Sequence, residues 1–267
     1  MQKKTYLQES VKNGRLMRWT SMPLRVYIAP MRFYSKKGQD TKYRTLVKQA
    51  LDEWTKVTHG KVTFSIIDSY DLSHISVEWK RVERQALGYC THHYGKNNTF
   101  CMAEILIGLT EGLVHAQYND EGETYHTILH EIGHAIGLGH SPFKSDIMYT
   151  PHQKGVLHVG PGDRLSINWL YTFPAYKTVN EIASKYHVSG SDIDEVVARI
   201  ISKEAKTDFE KVKDTVSIEP QRNLLDEAEN IGDLKKYNMA LQNIQLPADM
   251  QEKIKRQYRD SSMKRNN

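Results

Sequence analysis

Three histidines and one glutamate fall within eleven residues: His130-Glu131-Ile132-Gly133-His134-Ala135-Ile136-Gly137-Leu138-Gly139-His140. Imidazole nitrogens hold zinc, and a carboxylate beside them can move protons to and from water. His130 and His134 are four apart, so on a helix they project from one face a turn apart, and one rigid element sets two ligands. His140 joins them only if the helix stops first. Gly137 sits where a left-handed residue would end it and swing His140 back. Three neutral imidazoles leave zinc its double positive charge and one open position, at which water ionises with a pKa of roughly 7. Glu131, on the adjoining side of the helix, is the candidate general base. A bare His-Glu-x-x-His pentad would leave room for a closed zinc site or for histidines on a helix surface. Gly137 and His140 remove most of that room.

The elements that must position this run are readable around it. Leu24, Val26 and Ile28 alternate with Arg25 and Tyr27, as in a half-buried strand. Leu46, Val47, Ala50, Leu51, Trp54 and Val57 recur at helical spacing. Residues 62–66 and 75–79 read as further strands, followed by 88–90 and 102–109 around a turn at Gly95-Lys96-Asn97-Asn98. A twisted, mostly parallel sheet packed on helices is implied. Cys90 and Cys101 flank the turn. They either face each other in a disulfide, which implies an oxidising compartment, or remain two free thiols in neighbouring strands.

The run from His130 to Ser141 resembles the extended zinc signature of the metzincin metalloendopeptidases. Ser145-Asp146-Ile147-Met148-Tyr149 resembles their methionine turn. Ser141 directly after the third histidine and Tyr149 directly after the methionine resemble the matrixin branch, that of the matrix metalloproteinases and their bacterial relatives. Thr150 stands where astacins and serralysins usually place a metal-binding tyrosine. Arg18-Trp19 with residues 23–28 is similar to the first strand of a matrixin catalytic domain, and residues 163–171 to its closing helix, so the resemblance spans about residues 15 to 175.

That resemblance implies an α+β fold with a twisted mixed sheet, a zinc-binding helix and a closing helix. It implies a zinc-dependent endopeptidase acting on protein or peptide substrates, with Zn2+ on His130, His134 and His140 and Glu131 as general base. Met148 would be a packing floor beneath the metal, with Gly137, Tyr149 and Asp163 as structural support. Substrate would lie along an edge strand, for which Leu87 to Thr91 is the candidate. His126, four residues before the first zinc histidine, would line the pocket for the side chain after the scissile bond, together with Tyr149 and Pro151. Thr150 interrupts the usual Met-Tyr-Pro and reshapes that wall. His92 and His93 sit where vertebrate matrixins hold a second zinc, but Tyr94 replaces the aspartate required, and both read as loop histidines. Asp120-Glu121-Gly122-Glu123 reads as a solvated acidic loop, with Ca2+ binding as its other reading.

Composition sets the bounds. The chain's 267 residues, 39% hydrophobic, suffice for one or two packed domains, and no apolar run approaches the ~20 residues of a membrane span. Of the net charge of +5, residues 1–175 carry 21 basic against 16 acidic side chains, and residues 176–267 carry 16 of each. Residues 1–48 hold 12 Lys or Arg against Glu9 and Asp40, a solvated surface or one that favours acidic partners. No aromatic-interleaved basic module points to nucleic acid. Met1-Gln2-Lys3-Lys4 leads into polar sequence rather than a signal peptide. Together with the cysteines this suggests a mature or truncated secreted or extracytoplasmic chain, with a cytoplasmic one as the alternative.

After Pro174 glycine becomes scarce and helical patterns dominate. Ile193, Val196, Val197, Ile200 and Ile201 form one apolar stripe, and stretches around Leu224 and Leu241 look similar. The division expected is a catalytic domain over 1–175 and a helical region over 176–267. Residues 178–193 are similar to the helical core of a LysM module, which would imply contact with cell-wall carbohydrate, but its flanking strands are missing. A helix-turn-helix also fits the spacing, although Asp192, Asp194 and Glu195 would repel phosphates. The rivals to a peptidase are a catalytically silent zinc-containing binding protein, which would have no need of Glu131, and a metzincin of another branch.

Overall fold

The computed structural model describes residues 4–31, 38–81, 88–95, 99–109 and 121–215, with side chains described as far as residue 206. A short hairpin, β1 (Val11–Lys12) and β2 (Arg15–Leu16), turns at Asn13-Gly14, both at positive φ. The main sheet comprises β3 (Leu24–Ile28), β4 (Phe64–Ile67), β5 (Ile75–Arg81), β6 (Gly88–Tyr94) and β7 (Phe100–Leu109), in the order β4-β3-β5-β7-β6. All its pairings are parallel except β6 with β7. Along β7, Ala103, Ile105, Ile107 and Leu109 turn inward at every second position, and Leu24, Val26 and Ile28 do the same in β3.

Among the described residues the α-helices are α1 (Gln39–Val57), α2 (Glu121–Ala135), α3 (Pro161–Leu170), α4 (Val179–Lys185) and α5 (Ile193–Thr215). The apolar stripe of α1 lies in the core, where fully buried Trp54 donates from Nε1 to the Leu129 carbonyl of α2 at 2.9 Å. Among the described residues no helix is long and apolar enough to cross a membrane.

The hairpin expected around the cysteines is formed by β6 and β7, but Cys90 pairs with Ile105 across it. Cys101 lies four residues back along β7, ~13 Å away at strand rise, and both thiols are free. The register therefore separates the pair, and an argument from disulfide to oxidising compartment loses its footing.

The first compact unit runs from Met1 to Asp208, past the boundary expected at 175. Backbone bonds tie the segment beyond Pro174 to the hairpin: Tyr176 donates to Leu16, and Leu16 to Lys177. Val179, Ile182 and Ala183 of α4 and Ile193, Val196, Val197 and Ile200 of α5 join the same core as Leu7, Leu16 and Phe173. Four residues of the stripe read in the sequence thus face this core, whereas its fifth, Ile201, is exposed. The stretches around Leu224 and Leu241 lie outside the described residues.

Candidate metal centre

The site is built on the end of α2. After Ala135 the helix closes with Leu138 donating to the Gly133 carbonyl at 3.0 Å and Gly137 donating to His134 at 2.7 Å, with Gly137 at φ +105°. This pair of bonds around a left-handed residue is a Schellman stop. A side chain at 137 would also press on the Met17 carbonyl. Helix ends leave carbonyls without partners, and here three in succession are met from outside. Trp19 Nε1 donates to Ala135 at 2.8 Å, Tyr171 Oη to Ile136 at 2.9 Å and Ser10 Oγ to Gly137 at 2.7 Å. Three distant segments therefore fix where the chain leaves the helix for His140.

His130, His134 and His140 each bring one ring nitrogen within 4.8 Å of the others. The Nδ1 of His130 bonds the Ile147 carbonyl at 2.7 Å, and that of His134 the Leu138 carbonyl at 2.8 Å. A carbonyl only accepts, so both rings carry their proton on Nδ1 and leave Nε2 free as a metal donor. Burial lowers both rings, His130 to about 4 and His134 to about 3, so they are neutral at physiological pH. Neutral imidazoles are what zinc requires.

Glu131 is buried beside them, and among the described residues its Oε2 has no hydrogen-bond partner. Burial pushes the carboxyl up to about 8. A buried, unpartnered carboxylate oxygen next to three converging imidazoles fits a site that takes a dication and a water.

The turn beneath the site carries Met148, fully buried under α2. Gly133 is a close approach here, because a Cβ on it would collide with Met148 Sδ. The turn is held to the loop carrying His140 by Ser141 N donating to Met148 O at 2.9 Å, and to α3 by Asp163. That carboxylate accepts from Ile147 N at 2.7 Å, Gly160 N at 2.8 Å and Tyr6 Oη at 2.5 Å. Burial raises Asp163 to about 6. Tyr149 is half-buried and Pro151 exposed.

A scan against protein families matches residues 18–172 to Matrixin. The chain belongs to the matrixin family. No curated protein matches it. In this matrixin the family match covers the sheet, α1, α2, the methionine turn and α3, and it ends before α4. The LysM reading of the later helices finds no support in the comparisons.

Among the described residues β6 lies at one edge of the sheet, opposite β4, and a Cβ on Gly88 would strike Glu131, so the strand's start runs against the candidate base. Leu87 lies outside the described residues. His126 is buried, with Nδ1 donating to the Val156 carbonyl at 2.7 Å and its ring edge-on to His152 at 3.8 Å. His92 stacks on Phe100 at 4.4 Å, whereas His93 turns the other way to Glu104 at 2.7 Å. Neighbouring strand residues point to opposite faces, which keeps the two from acting together. In the acidic stretch, Glu121 pairs with Lys42 and Glu123 with His152, so these carboxylates diverge rather than gather for calcium, and Asp120 lies outside the described residues. Sequence reasoning passed over Ser10, Tyr6 and Glu9, whose partners lie more than a hundred residues away.

Proposed function

We propose that this matrixin is a zinc endopeptidase that hydrolyses peptide bonds in extended segments of protein substrates. The observation that carries the reading is Glu131: a carboxylate kept buried, with one oxygen unpartnered among the described residues, beside three converging imidazoles. A silent scaffold would gain nothing from that costly burial. Zinc held by His130, His134 and His140 supplies a Lewis acid at which water ionises near neutral pH.

The chain's own residues do the rest. Glu131 takes a proton from the attacking water and hands it to the leaving amine. Burial raises its pKa and a neighbouring cation lowers it, so the opposing influences suit a group that must accept and release one proton near neutral pH. Among the described residues no strand pairs with the outer edge of β6, where an extended peptide adds as another strand and passes Gly88 toward Glu131. His126, Tyr149 and Pro151 then shape the pocket for the residue after the cleaved bond.

The test is Glu131→Gln, which keeps shape and removes the base. The variant should still bind about one zinc per chain and lose on the order of 10² to 10⁴ in kcat on an unfolded protein substrate. A variant that retains zinc and cleaves at the wild-type rate would remove Glu131 from the chemistry.

A further inference from the structure

Two of the three metal-binding rings are oriented by backbone carbonyls through Nδ1, but His140 is held differently. Its backbone N–H donates to Glu9 Oε2 at 2.8 Å, and the same oxygen lies 3.9 Å from His140 Nδ1. Glu9 also packs on Gly139 so closely that a Cβ there would run into it. Glu9 precedes the family-matched residues, in a 3-10 turn at Gln8–Ser10. The same turn contributes Ser10, whose hydroxyl caps Gly137.

This turn is held from the other end of the chain. Asp194, buried at the start of α5, accepts from Leu7 N at 2.7 Å through Oδ1 and from Gln8 N at 3.2 Å through Oδ2. Gln8 Oε1 in return accepts from Ile193 N, an amide that the first turn of α5 cannot satisfy itself. Leu7 is fully buried between them. Contacts thus run without a gap from α5 through residues 7–10 to the loop carrying the third ligand.

We propose that Glu9 is a positioning residue for His140, and that α5 holds it in place through Asp194. A metal site loses affinity when a ligand must search for its position, and removing such outer contacts typically weakens binding by 10- to 100-fold. This gives the segment beyond the family match a role in the metal centre. The inference rests on the zinc reading above.

The test measures zinc affinity by chelator competition on the full chain, independently of proteolysis. Glu9→Ala should bind zinc at least about tenfold more weakly, whereas Glu9→Gln, which keeps an acceptor oxygen of the right reach, should stay within about threefold of wild type. Because Glu9 is exposed, the chelated Glu9→Ala protein should unfold near the wild-type urea midpoint, which separates a metal effect from a folding one. Asp194→Ala should weaken zinc as Glu9→Ala does, and the double variant should be no weaker than Glu9→Ala alone. Glu195→Gln, whose side chain pairs with Arg199 on the exposed face of α5, is the control with unchanged affinity. Wild-type affinity in Glu9→Ala overturns the positioning role. A wild-type chain that binds no zinc overturns the metal reading as well, so the two failures are distinguishable.

Discussion

His126, proposed above to line the pocket beyond the scissile bond, is fixed on two sides. Its Nδ1 is committed to the Val156 carbonyl and its edge to His152, which in turn bonds Glu123 at 2.5 Å. An imidazole held this way forms a short, polar end to any cavity it borders. His126→Leu removes the bond to Val156 and leaves an apolar wall, so cleavage should broaden toward longer apolar residues after the scissile bond. Cleavage-site profiling of both proteins on a peptide library checks this, and identical profiles would exclude His126 from the pocket. At this scale the convergence of His130, His134 and His140 was legible because helical periodicity and one glycine place all three within eleven residues. Trp19, Ser10 and Glu9, which act on the same loop from 116, 127 and 131 residues away, carry no local pattern that names their partners.

Among the elements, strands and helices followed their periods, whereas register and docking did not show in them. Alternation in β6 and β7 reveals which residues face inward but not that Cys90 meets Ile105, since a slide along the strand preserves the alternation. The stripe of α5 likewise announces a buried face without saying against what. That face joins the main hydrophobic core, and Asp194 at the start of the helix accepts from Leu7 and Gln8. A chain ending at residue 175 would therefore expose Leu7, Leu16 and Phe173 and lose seven buried apolar side chains of α4 and α5. At roughly 1.5–3 kcal/mol for each fully buried Val or Ile, even half that burial of the six valines and isoleucines rivals the ~5–15 kcal/mol by which domains are stable. The truncated chain should be insoluble or partly unfolded, while one ending near 208 should melt cooperatively. Circular dichroism melts of the two chains decide it, and a cooperative wild-type transition in the shorter one would restore the boundary at 175.

For the molecule as a whole, the burial that prepares the metal site also sets its response to acid. His126 and His130 are lowered from 6.5 to about 4 and His134 to about 3, in each case chiefly by desolvation. A depressed histidine means that the unfolded chain binds a proton the folded one refuses, so each ring contributes stability above pH 6.5 that is lost as pH falls toward the folded value. Glu131 and Asp163 act oppositely, because their raised values of about 8 and about 6 let the folded chain hold extra protons and stabilise it on acidification. Burial also lowers His74 and His92 and raises Asp146, so five histidines stand against three carboxylates and stay ahead between about pH 4.5 and 6. With zinc chelated away, unfolding free energy should therefore decline on acidification through that window. His126→Leu, which leaves the three ligands intact, should flatten the decline by up to about 1.4 kcal/mol per pH unit, the worth of one proton. Urea titrations across the window measure both slopes. Equal slopes would mean that His126 is as free to take a proton in the folded protein as in the unfolded chain, and that its burial against Val156 and His152 does not exist in solution.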